Sequence, residues 1–143
     1  MTVVDEGVAR TKLDPDSGDR FFPLRRQLGV TSFGMNQIVL QPGQRGRIHL
    51  HQRQEEVYLV LEGELTLIED AGETVLRAGD CAAFPKGSGN GHHMINRSGA
   101  TAVYLEVGSR APADLTTCSD IDMMSLNADG RFTHKDGSPY PEA

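Results

Sequence analysis

Between residues 35 and 107 the chain is written in short apolar runs of strand length, separated by glycine, proline, asparagine and aspartate. The runs fall at 36–40, 47–51, 57–61, 65–68, 74–76, 82–84, 93–95 and 102–107. Apolar and polar positions alternate in several of them with the period of a half-buried strand, and no stretch of this region carries a helical period. The pattern predicts an all-β domain of about eight antiparallel strands closed into a sandwich or barrel. Leu61-Glu62-Gly63-Glu64 and Asp70-Ala71-Gly72-Glu73 place glycine where a tight turn uses a positive φ, which predicts hairpins at both. Residues 1–34 are polar and turn-rich and read as an N-terminal arm. Residues 35–110 form the barrel, and 111–143, weaker in pattern, form a C-terminal extension that packs on the barrel or on a partner subunit.

Composition narrows the class of molecule. With 143 residues, 38% of them hydrophobic, the chain fits one domain with a core of its own. The balance of 20 acidic against 14 basic residues, net charge -6, disfavours a nucleic-acid surface and an anionic membrane partner. The N-terminus lacks the basic start and apolar core of a signal peptide, and no apolar run approaches the roughly 20 residues of a spanning helix. The expectation is a cytoplasmic protein with no membrane or nucleic-acid partner. Cys81 and Cys118 are too few for a disulfide framework and are expected as reduced thiols, Cys81 on a strand bordering the site.

Within 47–51 the order Arg47-Ile48-His49-Leu50-His51 sets two histidines one residue apart, so on a strand both face the same side of the sheet. Glu56 follows five residues later at the head of the next run, and His92 lies far along the chain. A lone histidine is more often a solvated or packed residue than a ligand; the company of the other three changes that weighting. Three imidazoles and one carboxylate suit a single divalent transition metal, namely zinc, manganese, iron, cobalt, nickel or copper, and leave open positions for water or substrate. Glu55 and His93 neighbour two of these residues and therefore face the other way, Glu55 as a solvated carboxylate and His93 as a surface or supporting histidine. Strand parity adds Arg47 and Tyr58 as catalytic candidates, with Gln37, Met94 and Asn96 as further lining. Arg47 could hold an anionic substrate group or simply meet solvent or Glu106, and Tyr58 could donate a proton or simply pack.

Gly43, five residues, His49, one residue, His51, four residues, Glu56, six residues, Gly63 resembles the first signature motif of the cupin superfamily. Gly79, five residues, Pro85, one residue, Gly87, then His92, three residues, Asn96 resembles the second, with four residues between Gly87 and His92 where the usual pattern has two. The spacing to Asn96 favours His92 over His93 as the ligand. The resemblance covers about half the chain and is closest to small bacterial single-domain cupins, some of which are labelled sugar phosphate isomerases by analogy. It implies a jelly-roll barrel, a homodimer and a small-molecule ligand. Cupins catalyse many reactions, and fold does not name one. A metal-dependent isomerase, epimerase or lyase acting on a small sugar-type or anionic substrate is the reading preferred. A metal-dependent dioxygenase and a non-catalytic small-molecule-binding barrel are the alternatives.

Overall fold

The apolar runs become β-strands, and the polar flanks add others. In chain order the elements are β1 (Lys12–Leu13), β2 (Arg20–Phe22), α1 (Leu24–Leu28), β3 (Phe33–Leu40), β4 (His49–His51), β5 (Glu56–Glu62), β6 (Glu64–Glu69) and β7 (Gly72–Arg77). They continue with β8 (Cys81–Phe84), β9 (His93–Ile95), β10 (Ala102–Ser109), β11 (Leu115–Cys118), β12 (Met124–Leu126) and β13 (Arg131–Thr133). This computed structural model describes residues 1–3, 12–13, 20–22, 24–46, 49–51, 53–111, 114–118, 124–126 and 131–139; at 12–13, 20–22, 26, 49–51, 118, 124–126 and 131–132 the description covers the backbone alone.

All ladders are antiparallel and fall into a six-stranded sheet, β1-β2-β3-β10-β5-β8, a three-stranded sheet, β7-β6-β9, and a four-stranded sheet, β13-β12-β11-β4. The segment between β3 and β4 joins the two smaller sheets. The Gly43 N–H donates to the Asn96 carbonyl at 2.7 Å, the Asn96 N–H to Gln44 at 2.9 Å and the Gly46 N–H to Met94 at 2.9 Å, and β4 then pairs with β11. The chain stretch that carries the two histidines is therefore tied to the end of β9 on one side and to the C-terminal strands further on. Alternate positions of β3, β5 and β10 close the barrel interior against β6 and β9, with Leu40, Val60, Leu65, Met94 and Tyr104 buried at its centre.

The segments read from sequence as arm and extension both enter the sheets. β2 pairs with β3 in the register Phe21↔Ile38, and β11 pairs with β4 in the register Thr117↔Leu50. Their signals are weak because β1, β2 and β11 to β13 are only two to four residues long. No helix among the described residues is long and apolar enough to cross a membrane.

One turn differs from its expectation. Residues 69–73 form the β6–β7 hairpin, with Glu69 opposite Gly72. Residues 61–64 do not form a hairpin, because β5 and β6 belong to different sheets and Gly63 is the corner between them. Gly63 has φ 78°, and a Cβ there would lie 2.8 Å from the Thr101 carbonyl oxygen and 3.0 Å from Ala102 Cα. Backbone against backbone leaves nothing flexible to give way. Gly63→Ala is expected to cost about 2 kcal/mol, combining the left-handed penalty with the displaced β10. Thermal unfolding should show a drop of about 6–8 °C; an unchanged midpoint would count against a tight corner at this position.

Candidate metal centre

Residues along β5 alternate between interior and surface: Glu56, Tyr58 and Val60 are buried, while Val57 and Leu61 are exposed. This parity settles the Glu55/Glu56 pair. Glu55 is solvent-exposed and Glu56 turns into the barrel. His92 sits immediately before β9 and is also buried, and its Nε2 lies 2.9 Å from Glu56 Oε2. Two groups separated by thirty-six residues in sequence thus meet inside the barrel.

The imidazole is held on three sides. The Phe84 ring stacks on it with centroids 3.6 Å apart and planes within 3°, and Tyr58 approaches edge-on at 5.4 Å. Its Nδ1 lies 3.3 Å from the Asn90 carbonyl oxygen. Asn90 is itself anchored: its side-chain amide donates to Glu69 at 2.8 Å and accepts from the Asp70 N–H at 3.0 Å. The four-residue stretch between Gly87 and His92, longer than the resemblance leads one to expect, is thereby fastened to the β6–β7 hairpin and delivers His92 inward.

These contacts test whether the pair fits a metal. A neutral imidazole that donates from Nδ1 to the Asn90 carbonyl presents its Nε2 lone pair to the Glu56 carboxylate, so two acceptors face each other in a largely buried site. A proton or a cation between them relieves that opposition. Imidazole nitrogen with carboxylate oxygen is the donor set of a borderline divalent metal, and an outer carbonyl fixing the far ring nitrogen is the usual support of a ligating histidine. His49 and His51 lie on β4 in the registers His49↔Cys118 and His51↔Thr116. Their side chains, and Arg47 altogether, lie outside the described residues.

Tyr58 is enclosed at 1% exposure, against Phe84 at 4.9 Å and Tyr104 at 5.2 Å. Burial above all, then the carboxylates of Glu56 and Glu106, hold its phenol well above the ordinary value of about 10. Tyr58 therefore stays a phenol and donates a hydrogen bond to Glu106. The Glu106 carboxylate also accepts from the Asn36 amide at 3.3 Å. Asn36, Tyr58 and Glu106 occupy facing positions on β3, β5 and β10 and form a polar cluster inside the barrel that sequence reading missed. Glu106 had figured only as a partner for Arg47; its inward parity with Tyr104 was the signal available.

Several expected placements need correction. Asn96 is fully buried but does not line the site: its amide donates to the Leu40 and Ala100 carbonyls, and its oxygen accepts from the N–H and hydroxyl of Ser98. Every hydrogen-bonding position of the side chain is engaged in holding a turn. Gln37 alternates with buried Ile38 and so faces out, and Asn36 takes the inward place. His93 is buried, which excludes the surface place of the two expected for it. Cys81 is exposed and pairs with Leu59 on the outer face, away from the barrel interior.

A small depression of about 10 Å³, room for about one water molecule, adjoins the Glu56–His92 pair, and Gln54, Phe84, Pro85, Ser88 and Asn90 line it among the described residues. Gln54, absent from the expected set, is placed there by Asp114, whose carboxylate accepts from the Gln54 side-chain amide at 3.0 Å.

The sequence matches the family described as Cupin domain over residues 36–108. Among solved structures, a sugar phosphate isomerase of the cupin superfamily from Silicibacter pomeroyi is 38% identical, with TM-score 0.79, covering 97% of this chain and 96% of its own. A protein from Acidithiobacillus ferrooxidans, described as a candidate sugar phosphate isomerase, is 21% identical, with TM-score 0.74 over 99% of this chain and 97% of its own. The polyketide cyclase RemF of Streptomyces resistomycificus is 22% identical, with TM-score 0.66 over 76% of this chain and 79% of its own; at such identities the last two show the fold alone. No curated protein sequence matches the chain.

Proposed function

Because the chain belongs to the cupin family, we propose that it binds one divalent transition metal through Glu56 and His92 together with His49 and His51, and acts on a small sugar-type substrate as an isomerase, epimerase or lyase. The observation that carries this reading is the buried Glu56–His92 pair at 2.9 Å with the far nitrogen of the ring held by Asn90. The 38% identical relative described as a sugar phosphate isomerase supports the substrate class. Bound at this site, the ion would supply Lewis-acid polarisation of a carbonyl or hydroxyl.

The chain's own residues divide the remaining work. Phe84 and Tyr58 keep the His92 ring in one orientation and exclude water from its two sides. The Tyr58 phenol, kept protonated, serves as a donor and holds the Glu106 carboxylate within the barrel. Ser88, beside the Glu56–His92 pair, carries a neutral hydroxyl group, which suits hydroxyl-bearing ligands.

The test is elemental analysis of tag-free protein beside His49→Ala and His92→Ala. About one metal ion per chain is expected in the natural sequence and a marked loss in both variants. Equal content in all three would overturn the site. Iron or copper accompanied by oxygen uptake would replace the isomerase reading with the dioxygenase one.

A further inference from the structure

Asp114 is fully buried, lies outside the barrel motifs, and belongs to the segment that joins β10 to β11. A buried carboxylate needs partners, and the partners here are specific. Its Oδ1 accepts the Arg53 N–H at 2.6 Å and the Gln54 N–H at 3.1 Å, and its Oδ2 accepts the Gln54 side-chain amide at 3.0 Å. Ser109, at the end of β10, completes the attachment: its hydroxyl accepts the Glu55 N–H and its own N–H donates to the Glu55 carbonyl, each at 3.0 Å. Three consecutive amides of the short connection between β4 and β5 are thus held by two side chains flanking the start of the C-terminal segment. Two residues beyond Asp114, β11 begins its ladder with β4, pairing Thr116 with His51 and Cys118 with His49.

We propose that Asp114 is a positioning residue that, with β11, sets the spacing between the strand bearing His49 and His51 and the strand that begins at Glu56. Arg53 and Gln54 are the hinge between these strands, so the direction in which Glu56 enters the barrel depends on where their backbone is pinned. A charged acceptor shared by two adjacent N–H groups is stronger and more directional than a neutral turn. The C-terminal segment is in this sense part of the site, and Asp114 also orients the Gln54 amide beside the Glu56–His92 pair. The consequence for metal affinity rests on the metal reading above; the positioning of Glu56 does not.

The experiment has two arms on the full chain. In the metal-free protein, hydrogen exchange is compared for the natural sequence, Asp114→Asn and Asp114→Ala. Amides of Arg53, Gln54 and β4 should exchange at least about tenfold faster in Asp114→Ala, with β5 and β10 unchanged beyond residue 57. Asp114→Asn keeps one oxygen acceptor for the two N–H groups and should recover much of the protection. In the second arm, cobalt(II) is titrated into the same proteins; its affinity should fall about 10–100-fold in Asp114→Ala, with a shifted ligand-field spectrum, and less in Asp114→Asn. Unchanged exchange at Arg53 and Gln54, or unchanged cobalt affinity and spectrum in a folded Asp114→Ala, would overturn the proposal. Faster exchange in Asp114→Ala with no cobalt bound by the natural sequence would support the positioning and fault the metal reading.

Discussion

Glu56→Gln is expected to lower affinity for the divalent ion by at least about a hundredfold while leaving the fold intact. An outer partner of a metal ligand typically contributes 10–100-fold, so a direct ligand should contribute no less. The amide oxygen is neutral and a poorer donor to a transition metal than the carboxylate. Without metal, however, the substituted side chain is well suited to its place. Its amide N–H can donate to His92 Nε2, which lies 2.9 Å from the present carboxylate oxygen, while the ring keeps its contact with Asn90. The opposition of two acceptors becomes a donor facing an acceptor, so metal-free stability should remain within about 1 kcal/mol of the natural protein. Competition titration against a chromophoric chelator measures the affinity and denaturant unfolding the stability. A variant that binds metal as tightly as the natural sequence would sink Glu56 as a ligand, and one that loses stability by several kcal/mol would show that the carboxylate serves the fold instead.

Asn96→Ala is expected to act in the opposite sense, lowering stability by about 4 kcal/mol through contacts remote from the metal pair. The amide holds the Leu40 and Ala100 carbonyls at 2.9 and 2.7 Å, and its oxygen holds the Ser98 N–H and hydroxyl at 3.0 and 2.7 Å. Leu40 and Asn96 are both fully buried, so the Leu40 carbonyl would be left with one fewer partner where water cannot replace it. Each buried polar group stripped of its partner costs about 1–3 kcal/mol, and the removed side chain leaves a small void besides. For a chain of this size that corresponds to a fall of about 12–15 °C in Tm. Asn96→Asp should be no milder, because it retains the acceptor for Ser98 but presents negative charge to two carbonyls. A loss below about 1 kcal/mol in calorimetry would show that the turn can find other partners.

Much of the barrel was legible because strand periodicity survives in single sequences when one face is buried. Each of the eight predicted runs overlaps a strand, though residues 47–48 of the second lie outside the described residues. The neighbouring pair Glu55 and Glu56 was resolved by alternation alone. Alternation failed where the strand frame was misjudged or a polar group found local work. Gln37 was assigned inward one position out of register with Ile38, and Asn96 was read as lining when its four hydrogen bonds make it a turn-holding residue. Gly63 was recognised as a turn glycine, but whether the turn ends a hairpin or crosses between sheets depends on strand pairing, which no local pattern contains.

By itself the sequence determined an all-β barrel, the strand parity of Glu56, and a set of ligand-type residues whose spacing matches a known family. These are local quantities, set by the two-residue repeat of a strand and by the chemistry of single side chains. Only the tertiary structure decided that His92 reaches Glu56 at 2.9 Å, that Phe84 and Asn90 fix its ring, and that Tyr58, Glu106 and Asn36 meet across three strands. It alone revealed Asp114, sixty residues from the Gln54 that it holds. Contacts of this kind depend on which strands become neighbours and in what register, and that is settled by the closing of the whole barrel.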